Sequence, residues 1–243
     1  MKNLLAFFVL LFAFVSCKTE NQTAALGRLQ IAFNLKVGNK PLELNKPIYT
    51  NEFGTNYQIE KLAFYVSNVV LRNSKTNASY SEPNSYHLIS MNGGKLDFEI
   101  ANIPLGSYDQ IELAIGVDAK RNTSIDQIGD LDPNNGMAWD WKTGYKFLSL
   151  EGKFFPTNGV TKGLILHIGT DENYKVCKFE VANSFAMTGN KTVNCKMEAD
   201  FSKLFSSPNQ IDFNTASSIM GGENAQKVAQ NYVNLLRLTE VVQ

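Results

Sequence analysis

The sequence holds two histidines, three cysteines and two tryptophans among 243 residues, and each scarcity removes a class of chemistry. With only His87 and His167 available, a serine nucleophile has almost no base to activate it. There is no Gly-x-Ser-x-Gly elbow, no His-Glu-x-x-His, no glycine-rich phosphate loop and no Cys-x-x-Cys, so the usual hydrolase, metalloprotease, nucleotide-binding and dithiol signatures are missing. Lys+Arg and Asp+Glu are equal at 23 each, with no basic run, which removes the electrostatic case for nucleic acid. Nothing singles out two of the carboxylates as a glycosidase pair.

Long apolar runs are also lacking, except at the start. Met1-Lys2-Asn3 precedes the unbroken run Leu4–Val15, which is too short to span a bilayer that needs roughly 20 residues, and reads as a signal-peptide core. It ends in Phe14-Val15-Ser16-Cys17, a small residue before a cysteine, as in a bacterial lipobox. Residues 1–16 are therefore expected to be removed and Cys17 to carry lipid, placing the chain at the cell envelope as an outer-membrane lipoprotein, periplasmic or surface-exposed. Lys18 rather than aspartate argues against inner-membrane retention. Residues 17–28 form a small, polar tether and 29–243 one domain. Cys177 and Cys195 remain as an even pair in an oxidising compartment, where a disulfide is expected.

The body of the chain reads as all-β. Leu29, Ile31, Phe33, Leu35 and Val37 alternate with more polar residues, the mark of a half-buried strand. Tyr57–Leu71 has two partly apolar faces and suits a sheet centre, with a break at Ser67-Asn68. Further strands are expected at Tyr86–Ile89, Leu96–Ile100, Ile111–Val117, Tyr145–Lys153, Leu164–Gly169, Tyr174–Val181 and Thr192–Ala199. In the last two, Cys177 and Cys195 fall on apolar faces, and a bridge across their loop would stabilise by about 3 kcal/mol in the chain-entropy account. Glu223–Leu236 changes to helical spacing, an amphipathic helix with Ala225, Val228, Ala229, Tyr232, Leu235 and Leu236 on its apolar stripe. The fold expected is an antiparallel β-sandwich with Greek-key connections, covered at one edge by this C-terminal helix.

Ala119–Met137 lacks strand periodicity, apart from a helical turn expected at Ser124–Ile128, and loops of this length usually serve a function. It leads into Leu131–Gly152, which holds both tryptophans. On an extended chain Trp139 and Trp141 share a face, and two indoles together cover a core, bind a ligand or take part in redox chemistry. Asp130–Gly136 has the oxygens of a Ca²⁺ loop but Asn135 where glycine is required and Trp141 where glutamate is, so it reads as a shaping turn. His167, with Ile165 on the face opposite Leu164, Leu166 and Ile168, is the first imidazole to consider as a metal ligand, and His87 the second. Met137 carries a thioether that Cu(I) would accept, though gap-filling is its default role.

The run Leu131-Asp132-Pro133…Gly136-Met137-x-Trp139-x-Trp141-x-x-Gly144-Tyr145…Leu150-Glu151-Gly152, followed by Leu166-His167-Ile168-Gly169, resembles the MbnP-like copper-binding protein family, here as a Bacteroidetes-type lipoprotein member. Tyr65-Val66-Ser67-Asn68-Val69-x-Leu71, Tyr86-His87-Leu88, Ile103-Pro104-x-Gly106-x-Tyr108 and Ile115-Gly116-Val117-Asp118 extend the resemblance over most of Leu29–Leu236. The resemblance implies a secreted, non-enzymatic β-sandwich that binds copper. It also implies a partner, a di-haem cytochrome c peroxidase-like enzyme that oxidises a tryptophan to kynurenine, creating donors that indole lacks. Trp139 or Trp141 would be the modified residue, with His167 and then His87 as imidazole ligands. The chain departs from that picture in having just two histidines, neither beside the tryptophans in sequence. A second reading is a surface carbohydrate- or peptide-binding lipoprotein using both indoles as a stacking platform. A third is a purely structural envelope module.

Overall fold

The computed structural model describes residues 25–46, 49–124, 126–140, 143–157, 159–189 and 191–243. The expected signal peptide, Cys17 and Trp141 lie outside them. The first seven strands are β1 (Leu26–Val37), β2 (Lys40–Pro41), β3 (Tyr49–Thr50), β4 (Asn56–Arg72), β5 (Ser79–Ser81), β6 (Tyr86–Ser90) and β7 (Asp97–Pro104). Then come β8 (Gly106–Ile115), helix α1 (Ala119–Asn122), β9 (Ala138–Asp140), β10 (Gly144–Phe155), β11 (Lys162–Gly169), β12 (Lys175–Met187) and β13 (Thr192–Asp200). The chain closes with β14 (Ser218–Ile219), helix α2 (Gly222–Gln230) and β15 (Leu236–Val242).

These strands form the expected sandwich. The smaller sheet runs β15-β13-β1, with β2 and β7 on the other edge of β1; the larger is built around β4, which pairs with β3, β5, β6, β8 and β10, and continues to β11, β14 and β12. The core lies between them: Leu29, Ile31 and Phe33 of β1 face Leu62, Phe64 and Val66 of β4 and Leu164, Leu166 and Ile168 of β11. The alternation in β1 is thus a direct imprint of one buried face. The anticipated break in β4 is real, with register slipping between Ser67 and Val70 and Asn68 at φ 51°, a left-handed conformation asparagine tolerates.

Three expectations are corrected. The sheets are mixed rather than wholly antiparallel, because β1 and β13 run parallel, with Ile31 opposite Cys195. Helix α2 stops at Gln230, a single 3₁₀ segment (Asn231–Asn234) follows, and β15 then pairs with β13, so the chain ends on a strand. All six residues of the anticipated apolar stripe are nevertheless buried, those after α2 from the turn and strand instead. The expected disulfide is not formed: Cys177 and Cys195 are buried free thiols. Their strands follow one another in sequence but belong to opposite sheets, and Cys177 Sγ points instead to the Tyr232 carbonyl oxygen at 3.9 Å.

A second apolar cluster covers the outer face of the larger sheet. Tyr65, Leu88, Val117, Tyr145 and Phe147 project outward there and the long loop drops Leu131 and Met137 onto them. Two phenols secure that loop, Tyr65 donating to the Asp130 carbonyl (2.9 Å) and Tyr145 to that of Leu131 (2.6 Å). The helical turn falls earlier than expected, at α1, which Asp118 caps by accepting from Lys120 N. Asp132 accepts from the Asn134 amide, so the acidic run is the shaping turn its sequence suggests.

Candidate functional site

The hairpin of β9 and β10 places Trp139. Ala138 pairs with Tyr145 and Asp140 with Gly144, and Lys146 N donates to the Met137 carbonyl at 2.7 Å. The hairpin fits because Gly144 (φ 78°) lets the backbone of Asn122 come close; a β-carbon there would lie 2.1 Å from the Asn122 carbonyl oxygen. Asn122 in turn accepts from Tyr145 N (2.9 Å) and donates to Asp171 (2.8 Å), joining α1 to β10 and to the 3₁₀ turn after β11. The half-buried indole is delivered beside β11.

There it meets His167. The ring centroids are 6.5 Å apart and tilted by 60°. His167 is on the outer face because it pairs with Ser149 of β10, while its neighbours Leu166 and Ile168 enter the core. His167 Nε2 is 3.0 Å from Glu151 Oε1, and the other oxygen of Glu151 is 3.0 Å from Lys61 Nζ. Burial holds the imidazole below its ordinary pKa; the Glu151 hydrogen bond opposes this, and the positive charges of Lys146 and Lys61 add to it. The Lys61 ammonium holds the Glu151 carboxyl down, with help from His167. At neutral pH the pair is thus a carboxylate accepting from a neutral imidazole. With Nε2–H donated to Glu151, Nδ1 carries the lone pair, the arrangement in which a carboxylate orients a ligating histidine.

The other anticipated residues are elsewhere. His87 pairs with Val66, a core residue, so its ring enters the sandwich interior. It stacks on Phe98 at 3.6 Å with rings parallel within 3°, and Nε2 contacts Glu82 at 2.8 Å. His87 and His167 therefore occupy opposite faces of the larger sheet, with β4 and β10 between their strands. Met137 is buried in the outer cluster. Among the described residues, no group of three or more His, Cys, Asp or Glu side chains converges to hold a metal ion. Glu151 and Lys61, which set the state of His167, carry no motif of their own; the signal for them is register, since Lys61, Glu151 and Ile165 lie opposite one another across three strands.

A family model described as MbnP matches residues 26–221. Among solved structures, MbnP from Methylosinus trichosporium matches with a TM-score of 0.60 and 17% identity, over 84% of this chain and 87% of that one. At that identity the likeness is one of fold. No curated protein matches the chain.

Proposed function

Because the chain belongs to the MbnP family, we propose that it is a non-enzymatic copper-binding protein of the cell envelope, anchored by lipid on Cys17. In this reading Trp139 is the residue that a di-haem peroxidase-like partner oxidises. The observation that supports it is the placement of Trp139 against His167.

The donors as encoded do not complete a copper site. An indole N–H donates and offers no lone pair, His167 supplies one nitrogen, and Glu151 is committed to His167 and Lys61. Oxidation of Trp139 would supply what is missing. Cleaving the indole C2–C3 bond inserts two oxygen atoms and removes four electrons, which two molecules of peroxide accept as they become water. Hydrolysis then releases C2 as formate and leaves an aromatic amine and a ketone on the residue. These added donors beside one neutral imidazole suit copper better than the original pair. The nearby charges of Lys61 and Lys146 oppose a bound cation, and Glu151 offsets them.

The test is a copper titration of protein isolated after co-expression with the partner, comparing wild type with Trp139→Phe, Trp141→Phe and His167→Ala. The reading expects affinity to fall at least about tenfold in Trp139→Phe and His167→Ala. It expects little change in Trp141→Phe. Equal affinity in all four proteins contradicts it.

A further inference from the structure

One end of the sandwich gathers exposed apolar and basic side chains. Leu26 at the start of β1 pairs with Pro104 at the end of β7, and Leu105 turns the chain into β8. The β12–β13 connection is at the same end, since Met187 pairs with Gly106 and Thr192 with Arg28. So is the end of β15, with Val242 opposite Asn194 and Gln243 donating to the Ala186 carbonyl. Leu26, Leu105 and Val242 are 43%, 48% and 41% exposed.

Basic side chains lie among them. Arg28 and Lys191 border a cavity of about 170 Å³ beside Leu26. Exposed Lys75 lies in the β4–β5 turn, which Asn73 ties to this end by donating to the Ser107 carbonyl (2.8 Å). The carboxylates near by are engaged: Asp109 accepts from Ser74 N and Oγ, Glu99 faces Arg28 at 3.8 Å, and Glu240 is 2.6 Å from Lys196 Nζ. This is also the end at which the described chain begins. Covalent geometry keeps Cys17 within about 28 Å of Ala25, so a lipid there holds this end near the bilayer at high effective concentration.

We propose that this end is a membrane-docking surface: Leu26, Leu105 and Val242 enter the interface of an anionic phospholipid bilayer, while Lys75 and Lys191 meet its phosphates. The proposal rests on the lipid anchor at Cys17. Apolar side chains and basic side chains on one rim act additively at such an interface, the first by burial and the second by attraction to anionic headgroups. Docked this way, the protein stands on the β1 start and keeps the outer face with Trp139 beside the membrane rather than under it.

The experiment uses the full acylated chain in vesicles of phosphatidylethanolamine and phosphatidylglycerol containing brominated acyl chains. A fluorophore is attached at Leu105→Cys or, as the opposite-end control, at Phe53→Cys. Phe53 is exposed, and its loop lies beside Gly38 at the far end of β1, while buried Cys177 and Cys195 do not compete for label. Insertion by about 5–10 Å predicts quenching on the order of fivefold stronger at 105 than at 53. The double variant Lys75→Glu/Lys191→Glu should narrow that difference. Equal quenching at the two positions in a chain that floats with vesicles overturns the docking and leaves the anchor standing. Flotation indistinguishable between wild type and Cys17→Ala overturns the anchor and the docking together. Shielding of position 105 from both lipid and aqueous quenchers points to a protein partner and overturns the membrane assignment.

Discussion

Gly169 and Trp139 are packed so closely that a β-carbon on the glycine would lie 2.6 Å from Cζ3 of the indole and 2.4 Å from the Tyr145 carbonyl oxygen. The last residue of β11 is thus a seat cut for this indole. Gly169→Ala should push Trp139 away from His167 and cost about 1–3 kcal/mol by overpacking. Denaturant unfolding checks the cost, and the emission maximum of Trp139, read in a Trp141→Phe background, checks the displacement. An alanine variant with both unchanged would show that the indole does not rest there.

The charges around His167 make a signed prediction. Its pKa is depressed chiefly by burial, with Lys146 and Lys61 lowering it and Glu151 raising it. An NMR titration should therefore place His167 below the ordinary imidazole value of about 6.5. Lys146→Met should move it up and Glu151→Gln further down. Because the folded pKa lies below the unfolded one, His167 favours folding above about pH 6.5 and loses that contribution as pH falls through its folded value. An upward shift in Glu151→Gln would contradict the arrangement.

His87 should behave as a core residue. Removing its ring by His87→Ala strips the stack on Phe98 and one of the two hydrogen bonds to Glu82, whose Oε2 keeps Ser85 Oγ, a loss of about 1–2 kcal/mol. Copper affinity, measured on the folded variant, should stay within about twofold of wild type, since the outer face is untouched. A large affinity loss with normal stability would place His87 in the metal site.

The two cysteines give a chemical check on the core. Burial pushes the Cys177 thiol up to about 11 and Cys195 up to about 12. Neither should react with a thiol reagent at neutral pH in the native protein, and both should react after unfolding in denaturant without reductant. Two thiols missing from the denatured count would mean that the bridge expected from sequence forms after all.

Much of the fold is legible in the sequence because one-sided burial writes itself as alternation. β1 shows it in Leu29–Val37, and β11 shows which of Leu166 and His167 turns outward. What is not legible is set by partners far along the chain. The parallel pairing of β1 with β13 joins Ile31 to Cys195, and no local pattern encodes that register. The end of α2 is hidden because Leu235 and Leu236 continue its spacing while serving a turn and an edge strand. The direction of His87 is concealed in Tyr86-His87-Leu88-Ile89, where both faces of the strand are covered, one by the core and one by the outer cluster. The meeting of Trp139 and His167 follows from the pairing of β10 with β11, which local sequence does not give either.

The most direct test is fragmentation mass spectrometry of the tryptic peptide Asn122–Lys142 from protein isolated from its native host, which separates Trp139 from Trp141 within that peptide and reads the mass of Trp139. Conversion of the indole to kynurenine predicts a gain of about 4 Da on that residue, together with loss of the gain in a host lacking the di-haem partner. An unmodified Trp139 in protein that nevertheless binds copper would contradict the central claim.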